Sequence, residues 1–284
     1  MVVKPFCPMP ENQNFTLTER FVWMTNKLNL EFESVFSIRL EDGGLSEPSG
    51  IAMAPDGSLW TVCDESRRLF RIDTAGQPLS TLEIDNRGLE GITFDAEGRV
   101  WVVDEDSSKI IGYDRLTGEQ ITERRLKDLK GFSAIKAHFE NSANKGLEGI
   151  TFDSLRSEFL LLKEAKPGLL ISVTSNLKEI VTVEELNESN GFVIEDVDSK
   201  KLDFSGMCYD AVHDLLWIVS DEAKRVYTFD RQRGSVIQSF ALQNGQSKRK
   251  VRKAEGVALD LESKHLYIVS DQDAALSVFR IVSL

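Results

Sequence analysis

The sequence predicts an all-β fold, a five-bladed β-propeller, on three observations. A short phrase that ends in glycine occurs five times, at Gly50, Gly91, Gly149, Gly206 and Gly256. Each copy is followed by a turn and a second apolar run, which is the pattern of a β-hairpin. The copies recur at intervals of 41 to 58 residues, and a strand-rich repeat of this period is typical of propeller blades.

The chain is expected to divide into an N-terminal extension, residues 1–30, and a propeller domain, residues 31–284. Apolar residues within 18–28 have helix-compatible spacing, which leaves two alternatives: a helix packed on the propeller or a separate arm. Alternation over residues 32–40 predicts a strand. Because the last repeat is one strand short of the four that a blade needs, we expect this strand to complete the last blade and close the ring.

Two features distinguish individual repeats. Insertions at residues 127–145 and 184–201 precede inner strands, so we expect two long loops over one mouth of the ring, where loops often carry specificity. Aromatic residues recur at one place in the second strand and predict packing between blades: Trp60, Trp101, Trp217 and Tyr267.

Composition limits the classes of partner and compartment. A net charge of −12 argues against nucleic acid or anionic lipid as the main partner and fits a cation or a cationic partner. The three cysteines form no CxxC motif, and no disulfide framework is expected. Without an apolar run for a signal peptide or a membrane span, we expect a cytoplasmic monomer. A protein whose leader had been removed would instead be periplasmic or exported.

Carboxylates occupy equivalent positions in every repeat. One lies at the end of each second strand: Asp64, Glu105, Glu164, Asp221 and Asp271. The residue before the glycine is an acid in three repeats and serine in two: Glu90, Glu148 and Glu255, and Ser49 and Ser205. In the two repeats with serine an acid lies two residues earlier, Glu47 and Asp203, on the same strand face because side chains alternate. Since the first strand of a blade lines the central channel, these carboxylates are expected to meet at one mouth.

Such a concentration of negative charge needs compensation, because like charges raise each other's pKa and destabilise the fold. Protons, lysine or arginine partners, or a metal ion can supply it. Oxygen ligands without a His or Cys cluster indicate Ca²⁺ or Mg²⁺, and a shallow ring of variable geometry favours Ca²⁺. We assign a metal-binding role to Glu90, Glu148, Glu255, Glu105 and Glu164. We assign a ligand-binding role to Glu47, Asp64, Asp203, Asp221 and Asp271. For the strand-end acids, turn capping or pairing with nearby Lys and Arg is the alternative.

Other signals are weaker. His138, His213 and His265 are not spaced as metal ligands, and the sequence contains no GxSxG, HExxH or P-loop motif. Ser49 and Ser205 have no evident His partner and are interpreted as small strand residues. The basic run at residues 247–253 is interpreted as a solvated loop, with contact to an acidic partner or to the acidic mouth as the alternative.

The repeats resemble the SdiA-regulated domain family, a bacterial group of five-bladed propellers distantly similar to NHL repeats. The matching pieces are residues 49–50 with 63–66, 88–91 with 103–105, 144–149 with 163–164, 203–206 with 220–222, and 253–256. The resemblance implies a calcium site in the propeller with no defined biochemical role, and its first ligands by position are Glu90, Glu148 and Glu255.

Two functions are therefore expected. The first is a calcium-binding propeller that acts as a binding or scaffold module for an unknown small molecule or protein. The second is a metal-dependent hydrolase of the lactonase or phosphoesterase kind, in which the ion polarises a substrate oxygen. The second function requires an open coordination position and a carboxylate or His within reach of it.

Overall fold

The chain forms a five-bladed β-propeller, as predicted. The computed structural model describes residues 27–40, 44–140, 146–194, 202–244 and 247–283. Within these residues the strands make five antiparallel sheets of four strands each. This described part contains no helix with the length and hydropathy of a membrane span. The helix-compatible spacing over 18–28 lies outside the described residues except for its last two positions.

Each blade is a meander that runs outward from the axis. Blade one contains β2 (Pro48–Met53), β3 (Leu59–Cys63), β4 (Arg68–Ile72) and β5 (Pro78–Glu83). Blade two contains β6 (Leu89–Phe94), β7 (Val100–Asp104), β8 (Lys109–Tyr113) and β9 (Gln120–Arg125). Blade three contains β10 (Leu147–Asp153), β11 (Glu158–Lys163), β12 (Gly168–Thr174) and β13 (Ile180–Leu186). Blade four contains β14 (Gly206–Asp210), β15 (Leu215–Ser220), β16 (Arg225–Asp230) and β17 (Ser235–Ala241).

Blade five joins the two ends of the described chain. It contains β18 (Ala254–Asp260), β19 (His265–Ser270), β20 (Ala275–Ser283) and, as its outer strand, β1 (Leu28–Ser37). β1 pairs with β20 from Leu28 opposite Ser283 to Ser37 opposite Ala275. The predicted closure is therefore present, but the strand spans Leu28–Ser37 and not the predicted residues 32–40. The strand ends at Ser37 opposite Ala275, where β20 begins, and one further backbone hydrogen bond joins Ile38 N to Ala274 O at 2.9 Å.

The hydrophobic core is divided among the five interfaces between neighbouring blades. Each of the five clusters of buried apolar side chains draws its strand residues from two adjacent blades. The predicted inter-blade aromatics belong to these clusters and are buried: Trp60, Trp101, Trp217 and Tyr267. The outer strands are less buried: five of the six residues of β5 are exposed, and six of the seven residues of β17 are only partly buried. Side chains are thus most buried near the axis, and their packing holds the inner strands in place.

The two insertions pack between blades, which differs from the loops expected over one mouth. In the first, Leu129 and Ile135 are buried in the core between blades two and three, together with Leu126, which precedes the insertion. Its short helical turns are Leu126–Asp128, Phe132–Ala134 and α1 (Ala137–Glu140). In the second, Phe192 and Ile194 are buried between blades three and four, after the 3-10 helix Glu188–Asn190. The apolar side chains draw both segments inward. Residues 141–145 and 195–201 lie outside the described residues.

Candidate metal centre

A β-bulge at the start of four inner strands positions the residue before the glycine. The pairing between the first and second strands of a blade skips one or two residues at this point. The skipped positions are Ser49, Glu90 with Gly91, Glu148 and Glu255. A bulge adds a residue to one strand and changes the direction of its side chain, and bulges are frequent next to active sites. Three of the four positions carry glutamate, so the bulges bring acidic side chains to the axis.

The five repeated glycines form a collar that closes the ring beneath these residues. A Cβ atom built at Gly91 would lie 2.7 Å from Ile150 N and 2.8 Å from Gly149 Cα in blade three. At Gly256 it would lie 2.7 Å from Ile51 N, and at Gly206 2.4 Å from Glu255 O, again in the next blade. Because these contacts are made with backbone atoms, a side chain has no room there. The inner strands therefore approach each other closely, as the repeated glycine indicated.

Above the collar lies a cavity of about 320 Å³, called the mouth pocket here. Nine of the ten predicted site residues line it: Asp64, Glu90, Glu105, Glu148, Glu164, Asp203, Asp221, Glu255 and Asp271. The other lining residues are Ser49, Ser205 and Lys253, and none of the described residues of either insertion is among them. The hairpin geometry thus brings together the two carboxylate columns that the sequence placed at the ends of the first two strands.

The tenth predicted residue, Glu47, is exposed and does not line the pocket. It lies beside Asp64 and Glu65, and one carboxylate oxygen of each of these three residues lies within 4.8 Å of the others. In the part of the chain that the structure describes, this is the one set of three or more His, Cys, Asp or Glu side chains that meets so tight a limit. The inner glutamates are therefore more widely spaced around the pocket.

The inner glutamates favour their protonated form in the absence of a cation. Burial, followed by the neighbouring carboxylates, raises the pKa of Glu90 and of Glu255 to about 8. The same two causes raise the pKa of Glu148 well above its ordinary value, and Glu90 and Glu105 are the carboxylates that act on it most strongly. Burial also raises the pKa of Glu105, whose side chain is hydrogen-bonded to that of Glu148. Negative charge is unfavourable throughout this part of the pocket.

Two lysines lie beside acids of the same ring. Lys253, which lines the pocket, pairs with Asp271. Lys224 Nζ lies 2.5 Å from Asp221 Oδ1. At Lys253 both interpretations of residues 247–253 apply, because this lysine is exposed and also contacts the acidic mouth. The available signal was the position of this lysine, two residues before Glu255 and its glycine.

The hydroxyl residues before the glycines have structural contacts. Ser205 Oγ donates to Ala254 O of the next blade at 2.9 Å, and Ser49 Oγ donates to Glu47 O at 3.3 Å. The serine of blade one also hydrogen-bonds the Glu90 side chain. None of the three histidines, all of which are described, lines the mouth pocket. The chemistry available in the pocket is therefore that of carboxylates, with one lysine and two serines.

Comparison with solved structures shows the same fold. The chain is similar to the glutaminyl cyclase of Myxococcus xanthus, with a TM-score of 0.61, 12% identity and coverage of 91% of this chain and 99% of that chain. It also matches the Cps50 (Swd1) propeller domain of Myceliophteria thermophila, at 12% identity and a TM-score of 0.46, over 84% of this chain and 65% of that one. The virginiamycin B lyase of Staphylococcus aureus matches at 14% identity and a TM-score of 0.45, over 84% and 67%. These likenesses concern the fold alone.

The family is shown by a sequence comparison. The family model described as SdiA-regulated matches residues 36–275, a range that contains all five glycine phrases and every carboxylate of the mouth pocket. The resemblance stated from the repeats is thereby confirmed. The chain belongs to the SdiA-regulated family.

Proposed function

We propose that this propeller binds Ca²⁺ in the mouth pocket and acts as a binding or scaffold module. The observation that supports it is the convergence of nine carboxylates on one cavity of about 320 Å³. An all-oxygen donor set without histidine or cysteine suits a hard cation. The residues that would hold the ion are Glu90, Glu148 and Glu255, with Glu105 and Glu164 as further ligands. When bound, the ion would compensate the negative charge of these carboxylates.

The donor geometry favours Ca²⁺ over Mg²⁺. The inner glutamates come from three blades and are held by backbone bulges, so their spacing is set by the diameter of the ring. Ca²⁺ accepts six to eight oxygens in variable geometry at 2.3–2.6 Å. Mg²⁺ requires a near-ideal octahedron at about 2.0–2.1 Å and usually keeps several waters. A wide ring of carboxylates matches the requirements of Ca²⁺ better than those of Mg²⁺.

Calorimetry tests this proposal on protein that has been stripped with a chelator. We expect heat on titration with Ca²⁺, weaker binding of Mg²⁺, and a loss of Ca²⁺ affinity of at least tenfold in Glu148→Gln. Glu179→Gln is the control, because Glu179 is a half-buried partner of Lys130 outside the pocket. At a free Ca²⁺ concentration of 100 times Kd, binding should add about 2.7 kcal/mol to the free energy of unfolding. No heat and no change in melting temperature would refute the proposal.

A metal-dependent hydrolase is the second hypothesis, and one observation favours it. Carboxylates outside the assigned ligand set, such as Asp64 and Asp203, also line the pocket, and the hydrolase requires such a carboxylate within reach of the ion. A screen of lactones and phosphate esters with and without Ca²⁺ separates the two functions. Turnover that requires Ca²⁺ and disappears in Glu148→Gln would replace the scaffold role with a catalytic one. The predicted kinship with NHL repeats stays a prediction in either case.

A further inference from the structure

The carboxylates of the mouth pocket do not all have the same electrostatic surroundings. On the side of blades four and five, Asp221 pairs with Lys224 and Asp271 pairs with Lys253. Both contacts are between side chains of this chain, and both lie at the turns that border the pocket. Asp221 also accepts a hydrogen bond from Ala254 N at 3.1 Å, which ties the acid of blade four to blade five. This side of the ring already contains two positive charges.

The side of blades two and three is different. The charged neighbours that act most strongly on Glu90, Glu105 and Glu148 are other carboxylates. Glu105 Oε1 accepts from Gly146 N at 3.5 Å across the interface between these two blades. A Cβ at Gly146 would lie 2.0 Å from Glu105 O, so only glycine allows this approach. The close contact brings Glu105 of blade two against Glu148 of blade three.

The difference in charge between the two sides follows from which residues occupy equivalent positions of the repeats. Two residues before the Glu of its phrase, blade five has Lys253, whereas blades two and three have Gly88 and Gly146. Three residues after its strand-end acid, blade four has Lys224. The equivalent positions in blades two and three are Ser108 and Pro167. These two backbone positions therefore carry lysine on one side of the pocket and glycine, serine or proline on the other. The ammonium group of Lys163 in blade three donates to the carbonyl oxygens of Ala165 and Pro167.

We propose that Lys224 and Lys253 are built-in counter-cations that decide where the pocket binds a divalent ion. This inference rests on the proposed Ca²⁺ binding. The lysines pair with Asp221 and Asp271, so one ion binds nearer the opposite side, with Glu90, Glu105 and Glu148 as its main ligands and Glu255 as a weaker one. The ammonium groups of the two lysines lie beside Asp221 and Asp271, where a second cation would otherwise bind. Lys253 is thus a specificity-determining residue of the site, although it has the same sign of charge as the ion.

The inference differs from a general effect of positive charge. Removing any lysine near the pocket raises the Ca²⁺ affinity by Coulomb attraction, and this effect falls off with salt. Release of two paired carboxylates has a further consequence, because oxygen ligands become available at a second position. The number of bound ions then rises, and a uniform change of potential does not produce that result. Stoichiometry is therefore the informative measurement.

The experiment is calorimetry with Ca²⁺ on chelator-treated protein, at one pH and one salt concentration. The intact protein is expected to bind one ion, and the double variant Lys224→Met and Lys253→Met is expected to bind two. Lys253→Arg keeps the charge and should bind one. Lys130→Met is the matched control, because it breaks an ion pair of 2.7 Å outside the pocket, and it should also bind one ion with unchanged affinity. Since Lys253 is 56% exposed, its substitution should leave the fold intact.

A second pair of variants tests the position of the single ion. In a lysine-intact background, Glu148→Gln should reduce the Ca²⁺ affinity at least tenfold, and by more than Glu255→Gln, which removes a ligand on the side of the lysines. Equal or reversed effects overturn the proposal, and so does a double lysine variant that still binds one ion. These failures are distinct from failure of the proposed function, which is shown by the absence of any Ca²⁺ binding to the intact protein.

Discussion

At the scale of single residues, the most restrictive positions are the glycines of the collar. Their backbone torsion angles are ordinary, since none of the five is among the residues with positive φ. What requires glycine is the approach of neighbouring inner strands, which leaves less than 3.0 Å for a Cβ at Gly50, Gly91, Gly206 and Gly256. A substitution there acts on the contact between two blades and on the glutamates that lie next to it.

Gly91→Ala should be strongly destabilising. Its Cβ would meet the backbone of Gly149 and Ile150, and overpacking of this kind costs about 1–3 kcal/mol, with backbone contacts at the upper end. We expect a loss of about 3 kcal/mol in the free energy of unfolding, measured by denaturant titration.

Gly57→Asn is the control for the collar prediction. A Cβ at Gly57 meets nothing within 4 Å, and Asn tolerates the left-handed backbone of this turn. We expect a change below about 1 kcal/mol. Equal effects of the two substitutions would contradict the assignment of the collar to close packing.

The sequence predicted the two carboxylate columns because the period of a β-strand and the fold of a hairpin place residues in register. Glu90 returns beside Asp104 and Glu105 because Leu89 pairs with Asp104 across that hairpin. Local patterns did not predict the bulges or the contact of Lys253 with Asp271. A bulge depends on how inner strands fit around a ring, and this fit is a property of all five blades. The exposed position of Glu47 likewise reflects a turn whose direction alternation cannot give.

At the scale of secondary-structure elements, β1 is the strand with the largest role in closing the ring. It pairs with β20 over its whole length, and Phe32 packs edge-to-face on Phe279 with ring centroids 5.7 Å apart. Without β1, blade five would have three strands and β20 would expose an unpaired edge. Such an edge is a template for pairing with another chain.

A truncation that begins after Ser37 should therefore unfold or dimerise. A second truncation that begins at Lys27 separates the effect of β1 from that of the preceding residues. We expect the shorter protein to melt at a lower temperature, or to elute as a dimer in size-exclusion chromatography. A monomer with an unchanged melting temperature would contradict the assigned role of β1.

At the scale of the whole molecule, the mouth pocket couples stability to protonation. Glu90 and Glu255 have a pKa of about 8 in the folded protein and an ordinary value of 4.5. Between these values the folded protein holds protons that the unfolded chain has released, so stability falls as pH rises through this window. Above about pH 8 the carboxylates are charged in both the folded and the unfolded state, and the folded protein is destabilised by the full free energy of keeping them charged in the pocket. Bound Ca²⁺ would favour the charged form and offset this cost.

The melting temperature in the presence of a chelator should therefore decrease from pH 5.5 to pH 8. Ca²⁺ should raise it, and by more at pH 8 than at pH 6, because fewer protons must then be displaced. The variant with Glu90→Gln and Glu255→Gln should show a flatter dependence in the chelator. A melting temperature that is constant or rises over this range in metal-free protein would contradict the assigned cause.

The pairing of β1 with β20 also sets the order in which the protein can be completed on the ribosome. Leu28 and Ser283 are partners, so β1 waits for its partner strand until blades one to four have been synthesised. Blades one to four are formed from consecutive strands and can assemble in sequence. Contacts between distant parts of a chain slow folding, and domains fold as they leave the ribosome. Blade five is therefore complete only after β20 has been synthesised, although its outer strand is made before blade one.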